Sequence, residues 1–496
     1  MFRGIRINNT IVFVVCMALL IFMREYYISI KSGLHVDESL SIILSSYKSI
    51  GFSTIGDGFI GATGDAIRRE MYVVNGGILD AINDVGKLWV NNRDLPHSNI
   101  YYSLLRLWMT PLKDSNISNI VVWLAQMNII FMCISFYFCV KLVHKLTGNI
   151  TPSIICAFIA YTSYFAISNT TFLRPYQFQE MMFVIFTYYT LLVFDTTDIQ
   201  RKELVKYAAV TSVTFLTGYF SIFYILPVSL LIFLNHRSIC GHNPLKKILL
   251  FIILVISFSF IIYPRYFNIN YRTTEAVGKV FSFKENIASS FKVFHDISIS
   301  LPFIYLIAIL GLLYLIYKTY SGCRHSLFSI WIVLSTSLFV ILSIYFAPYK
   351  LARYAYPSIP MFALIFASFY SFAEKINATA SFTILTFVSI FSASINADRN
   401  KVENLFLRDN YDCQSVHNNN KTLIIVKVPF KFNTLATCLD SNVVYNVIPL
   451  KEFESGFDTS KYTTILSDER INLRNYTLHA EPNTRGSYYF DVYRSN

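Results

Sequence analysis

Apolar residues in this chain come in long unbroken runs instead of alternating with polar ones at a period of 2 or 3.6. A helix that crosses a bilayer needs about 20 such residues. Runs of this kind lie at 10–28, 117–144, 151–168, 176–194, 205–220, 221–235, 245–263, 299–318, 326–347, 357–373 and 377–395. The fifth and sixth are short and meet at Gly218, so the division between them is the least defined. The first run follows Arg3 and Arg6 and has no small-residue cleavage site after it, so it reads as an anchor and not as a removed leader. The pattern predicts an α-helical polytopic membrane protein of about eleven transmembrane helices over residues 1–396. Residues 397–496 are different material: polar, with strand-like runs at Leu423–Val428 and Val443–Ile448 ended by Pro429 and Pro449. They predict a small α/β domain.

Composition narrows the class further. Of 496 residues, 54% are hydrophobic and only 15% charged, where soluble domains carry about a quarter charged residues. A cytosolic enzyme is excluded. The net charge of +12 comes without a dense Lys/Arg stripe, so nucleic acid is not an expected partner, whereas membrane lipid is. The cations sit between apolar runs: Lys141, Lys145, Arg201, Lys202, Lys206, Arg237, Lys246, Lys247, Lys318, Arg324 and Lys375, accompanied by Asp195, Asp198, Glu203 and Glu374. Placing those turns inside satisfies the positive-inside rule. Eleven spans then put the C-terminus outside, with the long loop at 29–116, the turn around Arg174, the loop 264–298 and the turn at Lys350–Arg353. On that map Cys16, Cys133, Cys139 and Cys156 lie in spans, and Cys240 and Cys323 in inner turns. Cys413 and Cys438 are the pair on the oxidising side. They form either a disulfide or two unpaired small hydrophobes.

Four polar clusters fall on the outer side. Gly33-Leu34-His35-Val36-Asp37-Glu38-Ser39 follows the first span. Its two carboxylates serve either as an acidic helix cap or as a general base for an attacking hydroxyl. The far end of the loop carries Asp94, His97, Tyr101 and Tyr102, and Tyr101–Trp108 suits a helix lying in the interface with its rings at headgroup depth. Arg174-Pro175-Tyr176 occupies a short turn between spans, and Tyr349-Lys350-Leu351-Ala352-Arg353-Tyr354 places two further cations on the same side. Guanidinium forks suit phosphate. If helical, Lys350 and Arg353 share a face. Gly56-Asp57-Gly58-Phe59-Ile60-Gly61 matches G-x-G-x-x-G, but no βαβ unit surrounds it. Its glycines suit a mobile lid better than a dinucleotide site.

The order of these clusters resembles the GT-C superfamily of membrane glycosyltransferases: His35-Val36-Asp37-Glu38 after the first span, Asp94…His97…Tyr101-Tyr102 before the second, Arg174-Pro175-Tyr176 before the fourth, and Arg353-Tyr354…Pro357…Pro360 before a late span. The resemblance covers residues 1–395 and is most like the bacterial and phage-type glucosyltransferases that modify O-antigen. Two departures stand out: Ser98-Asn99 where the family often has Pro-Pro, and no Arg within Val121–Gln126.

The resemblance implies a sugar donor carried on a polyprenyl phosphate and a glycan or lipid-linked acceptor hydroxyl. It implies Asp37 as base, with Arg174, Lys350 and Arg353 on the leaving phosphate and His97, Tyr101, Tyr176 and Asp94 around the substrates. Glu38 would orient the acceptor or bind a divalent ion with Asp37; no cofactor is firmly implied. The location implied is a bacterial inner membrane, the N-terminus cytoplasmic and the C-terminus periplasmic. The competing readings are an O-antigen polymerase or ligase, which the carboxylate pair and the long tail argue against, and a transporter. Transporters keep ionisable residues near the midplane, whereas the polar groups here crowd one lip and the spans read as nearly free of charge.

Overall fold

The computed structural model describes residues 8–74, 76–94, 98–196, 198–234, 244–268, 283–417, 419, 421–481 and 489–496. Arg3, Arg6, His97, Arg237 and Cys240 of the sequence readings lie outside the described residues. A helix stands at each of the eleven apolar runs. Among the described residues six helices are long and apolar enough to cross a membrane by themselves, or up to eight if each of two pairs, bent by 70° and 92° at short breaks, counts as one span. Tyr176–Asp195, Arg201–Phe215 and Tyr219–Leu234 are too short or too polar to meet that measure alone. The chain is a polytopic helical membrane protein with a small C-terminal sheet domain.

Local chemistry sets the helix ends. The first helix, α1 (Asn9–Ser29), begins where Asn8 Oδ1 accepts the Thr10 N–H at 3.0 Å. After it come α2 (Val36–Ser45), a strand β1 (Phe59–Thr63), α3 (Gly64–Tyr72), α4 (Ile78–Val90) and α5 (Asn99–Met109), all within the first loop. The span α6 (Ile117–Thr147) stops at Gly148, whose φ of 80° supplies the left-handed cap. The run expected as one span over 151–168 is two helices, α7 (Ile150–Tyr161) and α8 (Tyr164–Thr171), meeting at 70°. Ser163 caps the second by accepting the Ala166 N–H at 3.2 Å. The Tyr161 carbonyl freed by the break accepts from Arg24 Nη2 at 2.6 Å. The next span, α9 (Tyr176–Asp195), starts immediately after Arg174 and Pro175.

Two ends of the bundle separate as the charge pattern expects. At one, Lys145 and His325 both lie 2.9 Å from Asp195, and Arg324 donates to the Phe194 carbonyl. The first loop and the C-terminal domain share the other. There a six-stranded sheet has the order β1-β3-β2-β4-β6-β5, with β2 Thr422–Val426, β3 Val444–Pro449, β4 Thr464–Ser467, β5 Tyr476–Ala480 and β6 Asp491–Ser495. Its centre is parallel: β2 pairs in parallel with both β3 and β4. β2 is buried along its whole length, as a central parallel strand requires.

The edge strand β1 comes from the glycine-dense stretch of the first loop and pairs antiparallel with β3, Phe59 opposite Val447 and Thr63 opposite Val444. This corrects the expected lid. The stretch is bound into the sheet, and Gly58 (φ 89°) is there because a Cβ would fall 2.2 Å from the Val447 carbonyl oxygen. The strand also crosses the division drawn between residues 396 and 397. Asn433, on the helix Pro429–Cys438, donates to the Gly51 carbonyl at 2.8 Å and accepts from Tyr72 Oη at 2.5 Å. Loop and tail therefore form one block above α2. Within it Cys413 and Cys438 are joined by a disulfide, their Cα atoms 5.3 Å apart.

Candidate active site

His35 opens α2 with a reciprocal cap. Its Nδ1 accepts the Asp37 N–H at 3.1 Å, while Glu38 Oε2 accepts the His35 N–H at 2.8 Å. Burial pushes the His35 imidazole down to about 4, against the pull of the Asp37 charge. At neutral pH the ring is therefore neutral, as an Nδ1 acceptor must be.

The cap sends the two carboxylates in opposite directions. Glu38 is fully buried; its Oε1 takes the Lys31 ammonium at 2.7 Å and the Leu173 N–H at 2.9 Å. Lys31, equally buried, also donates to the Thr171 carbonyl at 3.1 Å. Both Glu38 oxygens are occupied from inside the protein. The expectation that Glu38 orients the acceptor or binds a divalent ion with Asp37 gives way to a structural ion pair. Among the described residues no group of three His, Cys, Asp or Glu is placed to hold a metal ion.

Asp37 points the other way. Its side chain is 30% exposed, with Arg353 Nη1 at 3.1 Å from Oδ2. Arg353 in turn lies over the Phe172 ring, Cζ 5.3 Å from the centroid. Arg174 reaches the same place from the α8–α9 turn. Its Nη1 lies 3.3 Å from the Asp37 carbonyl oxygen, 3.3 Å from Ser41 Oγ and 3.2 Å from Tyr102 Oη. Its Nη2 is 3.5 Å from Asp94 Oδ2, to which Tyr102 donates at 2.7 Å. Asp37, Asp94, Arg174 and Arg353 thus come from four distant segments into one cluster. With Lys31 and Glu38 paired beneath it, two cations face two carboxylates.

The other expected residues divide. Tyr176 is stacked on Phe172 at 6.3 Å and meets the Tyr354 ring edge-on at 6.1 Å, forming an aromatic wall beside Arg353. Tyr101 is buried, packed edge-to-face on Tyr102 at 5.9 Å. The two α5 tyrosines therefore face the protein, while Trp108 is half-buried against Trp123 and α5 exposes Leu104 and Leu107. Lys350 donates to the carbonyls of Ile344, Tyr345 and Ala347, which caps the end of the helix Arg324–Phe346. It does not share a helical face with Arg353, since the backbone is extended at Leu351. His97 lies outside the described residues.

Sequence reading missed several residues here. Tyr102 and Ser41 hold Arg174; the sequence placed Tyr102 in its motif without a role, and Ser41, one helical turn after Asp37, carried no signal of its own. Tyr489 belongs to the C-terminal domain; burial and then the Asp37 charge push its hydroxyl up. No pattern in the sequence ties it to Asp37.

No protein-family model matches the sequence, and no curated protein matches it significantly. Among solved structures, the crystal structure of ArnT from Cupriavidus metallidurans bound to undecaprenyl phosphate matches with a TM-score of 0.52 and 10% identity, over 97% of both chains. ArnT in the apo state matches at 0.48 and 9% over the same shares. The first likeness shows that this chain has the fold of ArnT along nearly its whole length.

Proposed function

We propose that the chain is a membrane glycosyltransferase that moves a sugar, a glucosyl unit in our reading, from a polyprenyl-phosphate donor to a hydroxyl of a glycan acceptor. The acceptor is O-antigen or lipopolysaccharide, and the reaction takes place on the outer face of the bacterial inner membrane. The observation that carries the reading is the partly open Asp37 carboxylate, 3.1 Å from Arg353 and backed by Arg174. The fold shared with a protein crystallised with undecaprenyl phosphate supports it.

The arrangement fits a single displacement. Asp37 takes the proton of the acceptor hydroxyl as its oxygen attacks the anomeric carbon. The bond from that carbon to the phosphate oxygen breaks, and polyprenyl phosphate leaves with the electron pair. The anomeric centre inverts. Arg353 and Arg174 stabilise the charge arriving on the phosphate, an electrostatic contribution that is commonly large. An incoming phosphate competes with Asp37 for Arg353, so donor binding itself frees the carboxylate to act as base.

The test is transfer by the full chain in lipid vesicles, using a glucosyl polyprenyl phosphate and a purified O-polysaccharide acceptor. Asp37→Asn should reduce turnover by about 10²- to 10⁴-fold, while Arg174→Ala and Arg353→Ala should weaken donor binding. Near-normal transfer by Asp37→Asn would leave Asp37 a helix-cap residue and end the catalytic assignment. For the orientation, tags at Gly61 and after Asn496 should be reached from outside, and one at Lys202 only from inside.

A further inference from the structure

Two ionisable side chains are buried within spans that read as nearly free of charge: Arg24 in the last turns of α1 and Glu180 in the second turn of α9, exposed by 0% and 1%. Neither touches the Asp37 cluster. Such groups are costly in a membrane and are retained for a purpose. Glu180 meets the bend that carries Arg174 through two side chains and Arg24 meets it through one; Arg24 also donates to the Tyr161 carbonyl at 2.6 Å, at the neighbouring α7–α8 break, and to the Leu20 carbonyl at 3.5 Å.

The bend runs from Asn169 to Gln177. Glu180 Oε2 accepts from Asn169 Nδ2 at 2.7 Å, and its Oε1 accepts from Gln177 Nε2 at 2.9 Å and from Ser135 Oγ at 3.1 Å. Ser135 is itself 2.6 Å from the Tyr161 hydroxyl. Gln177 Oε1 faces the Thr170 hydroxyl at 2.9 Å, which accepts from Arg24 Nε at 3.4 Å. Asn128 of α6 donates to the Thr170 and Phe172 carbonyls at 3.1 and 3.0 Å. The carbonyls and side chains released where the helix breaks are thus collected by α1, α6 and α9. What the bend then presents is the Thr171 carbonyl to Lys31, the Leu173 N–H to Glu38, and Arg174 to Asp94 and Asp37.

We propose that Arg24 and Glu180 are positioning residues for Arg174: an intramembrane polar network that fixes the α8–α9 bend and so sets where the donor phosphate is held. The proposal rests on the phosphate-binding role given above to Arg174. An apolar set of the same volume would pack at least as stably, but it would leave the broken helix without directional partners. Displacement of a binding group by about 1 Å costs about 10²-fold in rate.

The experiment uses the full chain in nanodiscs, with undecaprenyl phosphate as probe. Glu180→Gln sets an amide donor against Asn169 or Gln177 and should weaken binding about tenfold or more. Arg174→Gln should do the same, and the double variant should bind no worse than Arg174→Gln alone. Losses that multiply would overturn the proposal, since they would mean the network acts independently of Arg174. If Glu180→Gln does not fold, Thr170→Val, which removes the hydroxyl joining Arg24 to Gln177, takes its place in the same cycle. Amide exchange over residues 169–177 supplies a reading that needs no ligand. It should accelerate in the variants, while exchange in the helix Pro429–Cys438 stays as in the wild type; unchanged exchange over the bend also overturns the proposal. A wild type that ignores undecaprenyl phosphate would sink the glycosyltransferase reading and leave the exchange test of the network standing.

Discussion

Lys31→Met is the perturbation whose size the structure sets most directly. Lys31 and Glu38 are both fully buried, 2.7 Å apart, and the carboxylate's remaining partners are the N–H groups of His35 and Leu173. Removing one member of such a pair costs about 3–5 kcal/mol, because the other is left charged and buried. That is roughly two to three and a half decades in the folded population. Adding Glu38→Gln should recover part of the loss, since glutamine removes the buried charge, although it keeps an acceptor oxygen for only one of the two N–H groups. The assay is the unfolding midpoint of the full chain in detergent for the wild type, both single variants and the double. A Lys31→Met protein within about 0.5 kcal/mol of wild type, or a double variant no more stable than Lys31→Met, refutes the assignment of Glu38 as half of a buried ion pair.

Three further outcomes are expected. Gly58→Ala should detach β1, because its Cβ would meet the Val447 carbonyl oxygen at 2.2 Å, whereas Gly61→Ala meets nothing within 4 Å and should cost only the left-handed strain of about 1–2 kcal/mol; equal protease resistance at 59–63 in the two variants would contradict this. An unfolded chain protonates His35 near pH 6.5, whereas the folded chain holds it neutral down to about 4. Acidification between those values should therefore destabilise the wild type, by on the order of 3 kcal/mol, and His35→Asn should remove that part of the slope. Replacing Cys413 and Cys438 by Ser should cost about 3.5 kcal/mol for a loop of 25 residues, read as easier proteolysis of the C-terminal domain; alkylation of both thiols in the untreated wild type would exclude the bond in the purified protein.

The helices were legible because a span is a local object: an unbroken apolar run with a cap at each end, as at Asn116 and Gly148, is readable from neighbours alone. The Asp37, Asp94, Arg174 and Arg353 segments were legible as a set because all fell on one side of the charge map. What the sequence hid depends on partners far along the chain. Asp37 and Glu38 are adjacent and chemically alike, and only Lys31 and Leu173 decide which turns inward. The break at Thr162 depends on Arg24, 137 residues before the carbonyl it satisfies. The glycines at 56–61 look mobile until β3 is placed beside them, and Lys350 looks like an anion ligand until the end of a helix claims its protons.

The strand that joins the first loop to the tail bears on how the protein is made. Thr63 pairs with Val444, so 444 − 63 = 381 residues separate the two halves of that ladder. At about 5–20 residues per second of synthesis, β1 waits roughly 20–80 s for its neighbour after it leaves the ribosome. Through that interval almost every span is inserted while the loop holds an unpaired edge, the kind of surface that pairs with the wrong chain. The last hundred residues complete a structure begun near the start, so a ribosome that stalls before β3 leaves behind a fully threaded bundle with an open, adhesive loop. Such truncated chains are the form in which this protein should be most dependent on chaperones and most readily degraded.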